Sequence, residues 1–305
     1  AAVFTSMMAL LKSGQHIVSS RAVFGSTHQL FVNIFPKFLI ETTYVDIADN
    51  AAWENSITPQ TRILYAETPS NPGVALADLT FLGELAKKHG LILIIDNCFA
   101  SPILQNPIQF GADLVIHSST KYIDGQGRTL GGVIAGRKDL IDSIEAFARH
   151  SGPAMSPFTA WMLSKSLEIL PLRMEKHSAN ALRVAEFLES HPKIESVKYP
   201  FLPSFPQFEL ARKQMTGGGG IVSMNLKGGL QEGINFLNAL QMCSISANLG
   251  DSRTIAAHPA SSTHSNLSPE DRAAVQISDQ LIRISVGLER VEDIIQDLAN
   301  ALEQV

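Results

Sequence analysis

Apolar residues along this chain alternate between two rhythms, and the alternation predicts the architecture. Residues 2–13 carry helical spacing and close at Gly14, a residue suited to a helix C-cap. Residues 16–20 are a short apolar strand. Leu30, Phe31, Ile34, Phe35 and Phe38 recur at helical spacing and predict an amphipathic helix over 26–38. Strands follow at 41–45 and 62–66, then a Pro/Asn turn, Glu67-Thr-Pro-Ser-Asn-Pro-Gly73. A helix over 76–89 stops at Gly90. Leu91-Ile-Leu-Ile-Ile95 is unbroken, the pattern of a strand covered on both faces, and Asp96 ends it. The run Asp113-Leu-Val-Ile-His-Ser-Ser-Thr-Lys121 opens as another buried strand, and 132–135 as one more. Strand, helix and strand in this repeat predict an α/β fold, a mostly parallel sheet flanked by helices. Such sheets bind ligands beyond the carboxyl ends of their strands, where Asp96, Ser118, Thr120 and Lys121 fall.

The second part reads differently. Residues 157–190 are helical, interrupted by Pro171, and link a large domain over 1–170 to a smaller α+β domain over 171–305. Strands are expected there at 194–199, 221–225 and 281–286, and helices at 231–240 and 291–304. Gly217 to Gly220 are four glycines in a row, but no lysine or hydroxyl follows at phosphate-loop spacing, so they read as a flexible entry to a strand.

Composition narrows the function classes. The 305 residues are 45% hydrophobic and 17% charged, which excludes a disordered chain. A net charge of −5 without a basic face points away from nucleic acid and from an anionic membrane surface. No apolar run approaches the ~18 residues of a membrane span. Cys98 and Cys243 stand far apart in apolar surroundings and read as reduced, buried residues of a cytoplasmic protein. No His, Cys, Asp or Glu cluster has metal-ligand spacing, so no metal is expected.

The chemistry lies at the strand ends. Ser118, Ser119 and Thr120 can donate to phosphate oxygens, and Lys121, just before Gly125 and Gly127, can form an imine. Asp96 closes a strand with no other polar residue, where a carboxylate is costly unless a cation faces it. A protonated pyridine nitrogen is such a cation, and lysine with aspartate in this relation suits pyridoxal 5′-phosphate. In the strand at 281–286, Ile282, Ile284 and Val286 point one way, so Arg283 and Ser285 point the other. An arginine there suits a bidentate grip on a carboxylate.

Five segments occur in one order: Glu67-Thr-Pro-Ser-Asn71-Pro72, Asp96-Asn-Cys-Phe, Ser118-Ser-Thr120-Lys121-Tyr, His258-Pro-Ala-Ser-Ser-Thr-His264 and Arg283-Ile-Ser-Val-Gly-Leu-Glu289. Together they resemble the Cys/Met-metabolism family of pyridoxal-phosphate enzymes, over essentially the whole chain. The resemblance implies the fold type I architecture of PLP-dependent transferases. It makes Lys121 the lysine that bonds the cofactor and shuttles protons, and Asp96 the partner of the pyridine nitrogen. Ser118 and Thr120 then bind the phosphate, Asn71 the ring's 3′ oxygen, and Arg283 the substrate α-carboxylate. It further implies a homotetramer built as a dimer of dimers. Tyr122, His117, His258 and His264 are read as structural.

Two positions depart from the family's pattern. Phe24 stands where most members have a ring-stacking tyrosine; it can stack but cannot exchange a proton, so Lys121 must supply the acid. Asn248 stands where the lyases usually have serine, and remains a candidate carboxylate contact. A Tyr-x-Arg segment and a Gly-Met turn of the family are absent, so roughly the family's first fifth is expected to be missing. The loop Asp124-Gly-Gln-Gly-Arg128-Thr-Leu-Gly-Gly132 is similar to the branch that exchanges the succinyl ester of homoserine for sulfide, with Arg128 a candidate cation for the succinyl carboxylate. The expected reaction is a γ-replacement giving homocysteine and succinate. The acetyl ester, cysteine as nucleophile, and a methionine γ-lyase reaction remain alternatives.

Overall fold

A computed structural model describes residues 1–262 and 277–305 of the chain. They divide into two compact units. The first comprises Ala1–Asn71, Ala75–Thr120 and Thr129–Ser164; the second comprises Pro72–Val74, Lys121–Arg128 and Lys165–Val305.

The first unit is built on strands β1 (His16–Ser20), β2 (Glu41–Val45), β3 (Thr61–Glu67), β4 (Ile92–Asp96), β5 (Leu114–Ser118) and β6 (Gly132–Gly136). Their order is β2-β1-β3-β4-β5-β6. Every pairing is parallel except that of β5 with β6. Alternate residues serve two cores. Ile63 and Tyr65 of β3, Ile94 of β4 and Leu114 and Ile116 of β5 pack on one face with Met7, Phe31 and Phe35. Leu64, Ala66, Leu93 and Ile95 pack on the other with Trp53, Leu82 and Leu85. Burial on both faces is why these strands read as unbroken apolar runs. Continued by two residues, the period places Glu67, Asp96 and Ser118 together, on the Tyr65 face, at the carboxyl ends of three adjacent strands.

The second unit carries β7 (Ile194–Lys198), β8 (Ile221–Leu226), β9 (Ser244–Ile245), β10 (Ile255–Ala257) and β11 (Leu281–Ser285) in the order β7-β8-β11-β10-β9. All pair antiparallel except β9 with β10. Helices Leu170–Glu189, Leu230–Ala239 and Val291–Glu303 bury Val184, Phe236 and Leu298 in one core with Ile282, Ile284 and Val286. The four glycines lead into β8 as a loop, as expected. The approach is close: a Cβ on Gly218 would overlap the Tyr199 ring.

Several local expectations change. The amphipathic stretch 26–38 is not one α-helix. An α-turn over Gly25–Gln29 widens into a π segment, Leu30–Ile34, and tightens into a 3₁₀ turn, Phe35–Phe38, before Leu39 turns left-handed at φ 57°. Pro36, in the first turn of that last piece, has no N–H to continue the ladder. The first helix, Ala2–Leu10, ends ahead of Gly14 because Leu11 is extended. The stretch 157–190 is two helices, Pro157–Leu167 and Leu170–Glu189, with Pro171 in the first turn of the second, where a missing N–H costs nothing. Cys98 is only partly buried, while Cys243 is buried. No helix among the described residues is long and apolar enough to cross a membrane.

Helix Leu79–His89 starts where the Asp78 side chain accepts from Phe81 N and stops at left-handed Gly90. It lies close to the turn Pro107–Phe110, where a Cβ on Gly83 would overlap the Phe110 carbonyl oxygen. Glycine to alanine in a helix ordinarily gains about 1 kcal/mol. Here we expect Gly83→Ala to cost about 1–3 kcal/mol instead, because rigid backbone must move; denaturant unfolding reads the sign directly.

Candidate active site

At the strand ends of the first unit two carboxylates lie side by side. Glu67 and Asp96 are register partners on β3 and β4, and both are buried. Asp96 Oδ1 accepts from Cys98 N at 3.1 Å, and Tyr65 OH lies 3.5 Å from Oδ2. Glu67 Oε2 accepts from Phe24 N at 2.6 Å and Oε1 from Asn71 N at 3.1 Å. Burial pushes the Asp96 carboxyl up to about 6. Burial, then the neighbouring Asp96, pushes Glu67 well above the usual carboxylate range. The pair therefore binds a proton, or a cation, far more readily than two exposed carboxylates would.

The other expected residues of this unit lie on the neighbouring elements. Phe24 precedes helix Gly25–Gln29 as its N-cap residue and is 49% exposed. Ser118 ends β5, and its carbonyl faces Cys98 Sγ at 3.5 Å. Thr120 Oγ1 accepts from Gly131 N at 3.0 Å, which ties the end of β5 to the approach of β6. Between them Ser119 is fully buried, and among the described residues its hydroxyl finds no hydrogen-bond partner. In the sequence Ser119 is one of three adjacent hydroxyl residues, and no periodicity separates it from the other two.

The second unit begins again at Lys121. Lys121 Nζ donates to Asn248 Oδ1 at 2.6 Å. The Arg283 guanidinium donates through Nη2 to the carbonyls of Ala247 and Asn248, at 3.0 and 2.9 Å. One residue, Asn248, thus meets the lysine with its side chain and the arginine with its backbone. Arg283 is buried although it alternates with the core residues Ile282 and Ile284, and burial lowers it to about 10. Beside it, Ser285 Oγ accepts from Gly250 N at 2.8 Å.

The loop after the lysine is held from three sides. Gly125 N returns to Lys121 O at 2.9 Å, and Ser252 N donates to Gly125 O at 2.8 Å. Arg173, buried, donates to the carbonyls of Tyr122, Ile123 and Ser166. Arg128 is tied to Asp124 through a 3.0 Å ion pair and donates to Ser166 Oγ at 2.7 Å. Its charge is answered by Asp124 within its own loop. Arg173 had no signal in the sequence, where it sits in a helix among other charged residues.

The histidines and Tyr122 take structural positions. His117 is buried, and burial lowers it to about 4. His258 bridges Ser261 Oγ and Asp279 O, both at 2.9 Å. Tyr122 packs edge-on against His177. His264 lies outside the described residues. Among the described residues no group of three or more His, Cys, Asp or Glu gathers for a metal ion.

The chain matches the family model "Cys/Met metabolism PLP-dependent enzyme" over residues 1–303. It is 50% identical to an O-succinylhomoserine sulfhydrylase of Pseudomonas aeruginosa over 301 residues, which are 99% of this chain and 75% of that protein. A Mycobacterium tuberculosis protein of the same name is 44% identical, over 99% of this chain and 76% of that protein. An L-methionine gamma-lyase of Porphyromonas gingivalis is 41% identical, over 100% and 77%. The chain belongs to the Cys/Met metabolism family of PLP-dependent enzymes. The residues fit that cofactor: Asp96 is a buried carboxylate poorly stable as a lone anion, the partner a protonated pyridine nitrogen needs.

A pH test follows from the pair. Asp96 titrates at about 6 in the folded protein and at about 3.9 unfolded, so the folded state prefers the neutral acid. Its contribution is intact below about pH 4 and is lost as pH rises to about 6. Asp96→Asn should remove that loss, leaving cofactor-free protein more stable than wild type at pH 7 by up to about 3 kcal/mol. The residual slope belongs to Glu67, which has the same sign. Denaturant unfolding of cofactor-free protein across pH 4–7 checks it; an unchanged profile refutes the assignment.

Proposed function

We propose that this chain catalyses γ-replacement on the succinyl ester of homoserine, with sulfide as nucleophile and with homocysteine and succinate as products. The observation that carries the choice of substrate is the higher identity to the two sulfhydrylases, 50% and 44%, than to the lyase, 41%. The Gln-Gly-Arg loop at 126–128 supports it.

Pyridoxal 5′-phosphate, when bound, supplies an electron sink for charge developing beside the substrate's α carbon. The residues do the rest. Asp96 keeps a proton on the pyridine nitrogen, and this counter-charge in turn keeps Asp96 ionised. Phe24 offers its ring face, Asn71 its amide to the 3′ oxygen, and Ser118 and Thr120 their hydroxyls to the phosphate. Arg283 grips the substrate α-carboxylate, its position fixed by the Ala247 and Asn248 carbonyls. Asn248 steadies Lys121 Nζ. Lys121 Nζ removes the proton from Cα, would hand it to the bound cofactor for the length of the cycle, and as a free amine again removes a proton from Cβ, since Phe24 has no exchangeable proton. The Cγ–O bond breaks and succinate leaves with the electron pair; sulfide forms the Cγ–S bond, and Lys121 returns protons to Cβ and Cα. Arg128 serves to brace the loop behind Lys121. We further propose that the enzyme works in the cytoplasm as a homotetramer.

Lys121→Ala should lower kcat by at least about 10³ and abolish the visible absorbance of lysine-bound cofactor. Full turnover in that variant would end the proposal. Rates with the succinyl and acetyl esters, with sulfide and with cysteine, and with methionine alone separate this reaction from its relatives. Faster turnover of methionine than of the succinyl ester would favour a lyase.

A further inference from the structure

We propose that Glu67 is a positioning residue for the cofactor ring: its one carboxyl group clamps the two backbone segments that carry Phe24 and Asn71 beside Asp96. The inference rests on the reading that Asp96 faces the pyridine nitrogen, and it assigns a task to a residue which that reading leaves idle.

Four observations converge on this carboxyl. Glu67 is the last residue of β3, 3% exposed, and pairs in register with Asp96 on the same face of the sheet. Its two oxygens are divided: Oε2 takes the Phe24 N–H at 2.6 Å and Oε1 the Asn71 N–H at 3.1 Å. Asn71 is four residues on, within the same turn, whereas Phe24 is 43 residues away, so the carboxyl joins a distant segment to its own turn. Phe24 begins the helix Gly25–Gln29 from an extended conformation with no side-chain cap, and this hydrogen bond anchors its backbone to the sheet. Asn71 opens the turn 71–73 that follows β3. The residue that stacks on the ring and the residue that meets its 3′ oxygen are therefore indexed to one point, one strand away from the group that meets its nitrogen.

The position needs a carboxyl. Two N–H donors converge on it, and only a carboxylate or carboxylic acid offers an oxygen to each. Glutamine has one acceptor, and its NH₂ would confront the other N–H. Aspartate keeps both oxygens on a side chain one methylene shorter. The titratable groups that interact with the carboxyl are Asp96 and Tyr65, and among the described residues it forms no ion pair. A plain ion-pair role is therefore excluded, and the backbone clamp is what remains.

The test titrates cofactor-free wild type, Glu67→Gln and Glu67→Asp with pyridoxal 5′-phosphate. It follows visible absorbance for affinity, ellipticity of the bound cofactor for ring seating, and melting of the cofactor-free protein for the fold. Glu67→Gln should weaken binding about tenfold, reduce the cofactor's ellipticity, and leave the melting midpoint within a few degrees of wild type. Glu67→Asp should fall between the two. Wild-type affinity and ellipticity in both variants overturn the clamp while leaving the proposed function standing. If neither variant folds, Glu67 is a stability residue and the clamp is overturned as well. If wild type itself binds no cofactor, the functional reading fails first and the clamp falls with it.

Discussion

Two carboxylates on adjacent parallel strands, side by side and shielded from water, are the constraint around which the first unit is arranged. Parallel pairing in register puts Glu67 and Asp96 on one face, at the ~4.8 Å spacing of neighbouring strands. Like charges that close, out of water, repel by several kcal/mol, so the arrangement persists only if the pair is partly protonated or otherwise answered. The structure answers with N–H donors from Phe24, Asn71 and Cys98, none of which carries a charge. The remaining deficit is a demand for positive charge at a strand end. A proton on one of the two carboxyls, or a cation beside them, meets that demand.

The same burial that makes the pair costly is produced by the most legible part of the sequence. Ile92 to Ile95 and Leu114 to Ile116 were readable as covered strands because both faces of the sheet are packed. Asp96 was readable because a lone polar residue ending such a strand is conspicuous. Glu67 was not, since it stands at the head of a Pro/Asn turn and turns are ordinarily polar; only pairing with β4 shows what it faces. Arg283 followed from strict alternation within β11, a strand whose neighbours Ile282 and Ile284 enter the core.

Where the sequence misled, a local rule was overridden. The stretch 26–38 kept helical spacing, yet Pro36 breaks the hydrogen-bond ladder and the backbone passes through three helical forms. Helix Lys138–Ser151 and the short strands β9 and β10 escaped notice. The two strands have two and three residues, too few for any period to register. Arg173 escaped because a buried arginine that serves three carbonyls looks, in sequence, like an exposed one.

Arg173 also shows how the second unit keeps its lysine in place. A loop of glycines and small polar residues has little apolar surface to fix it, and ordering it costs conformational entropy. Here carbonyls that would otherwise lie unsatisfied in the interior, those of Tyr122 and Ile123, are taken by one guanidinium, and Arg128 closes the loop on Asp124. Lys121 then projects from a braced segment toward Asn248, whose own carbonyl receives Arg283. The Lys121 amine and the Arg283 guanidinium therefore share a single amide residue as their common reference. A serine in that place would keep the backbone carbonyl for Arg283, but its hydroxyl, one bond from Cβ, falls short of where Oδ1 meets the lysine. Replacing that side chain would loosen the amine while leaving the arginine where it is, because the amine meets the side chain and the arginine the backbone of the same residue.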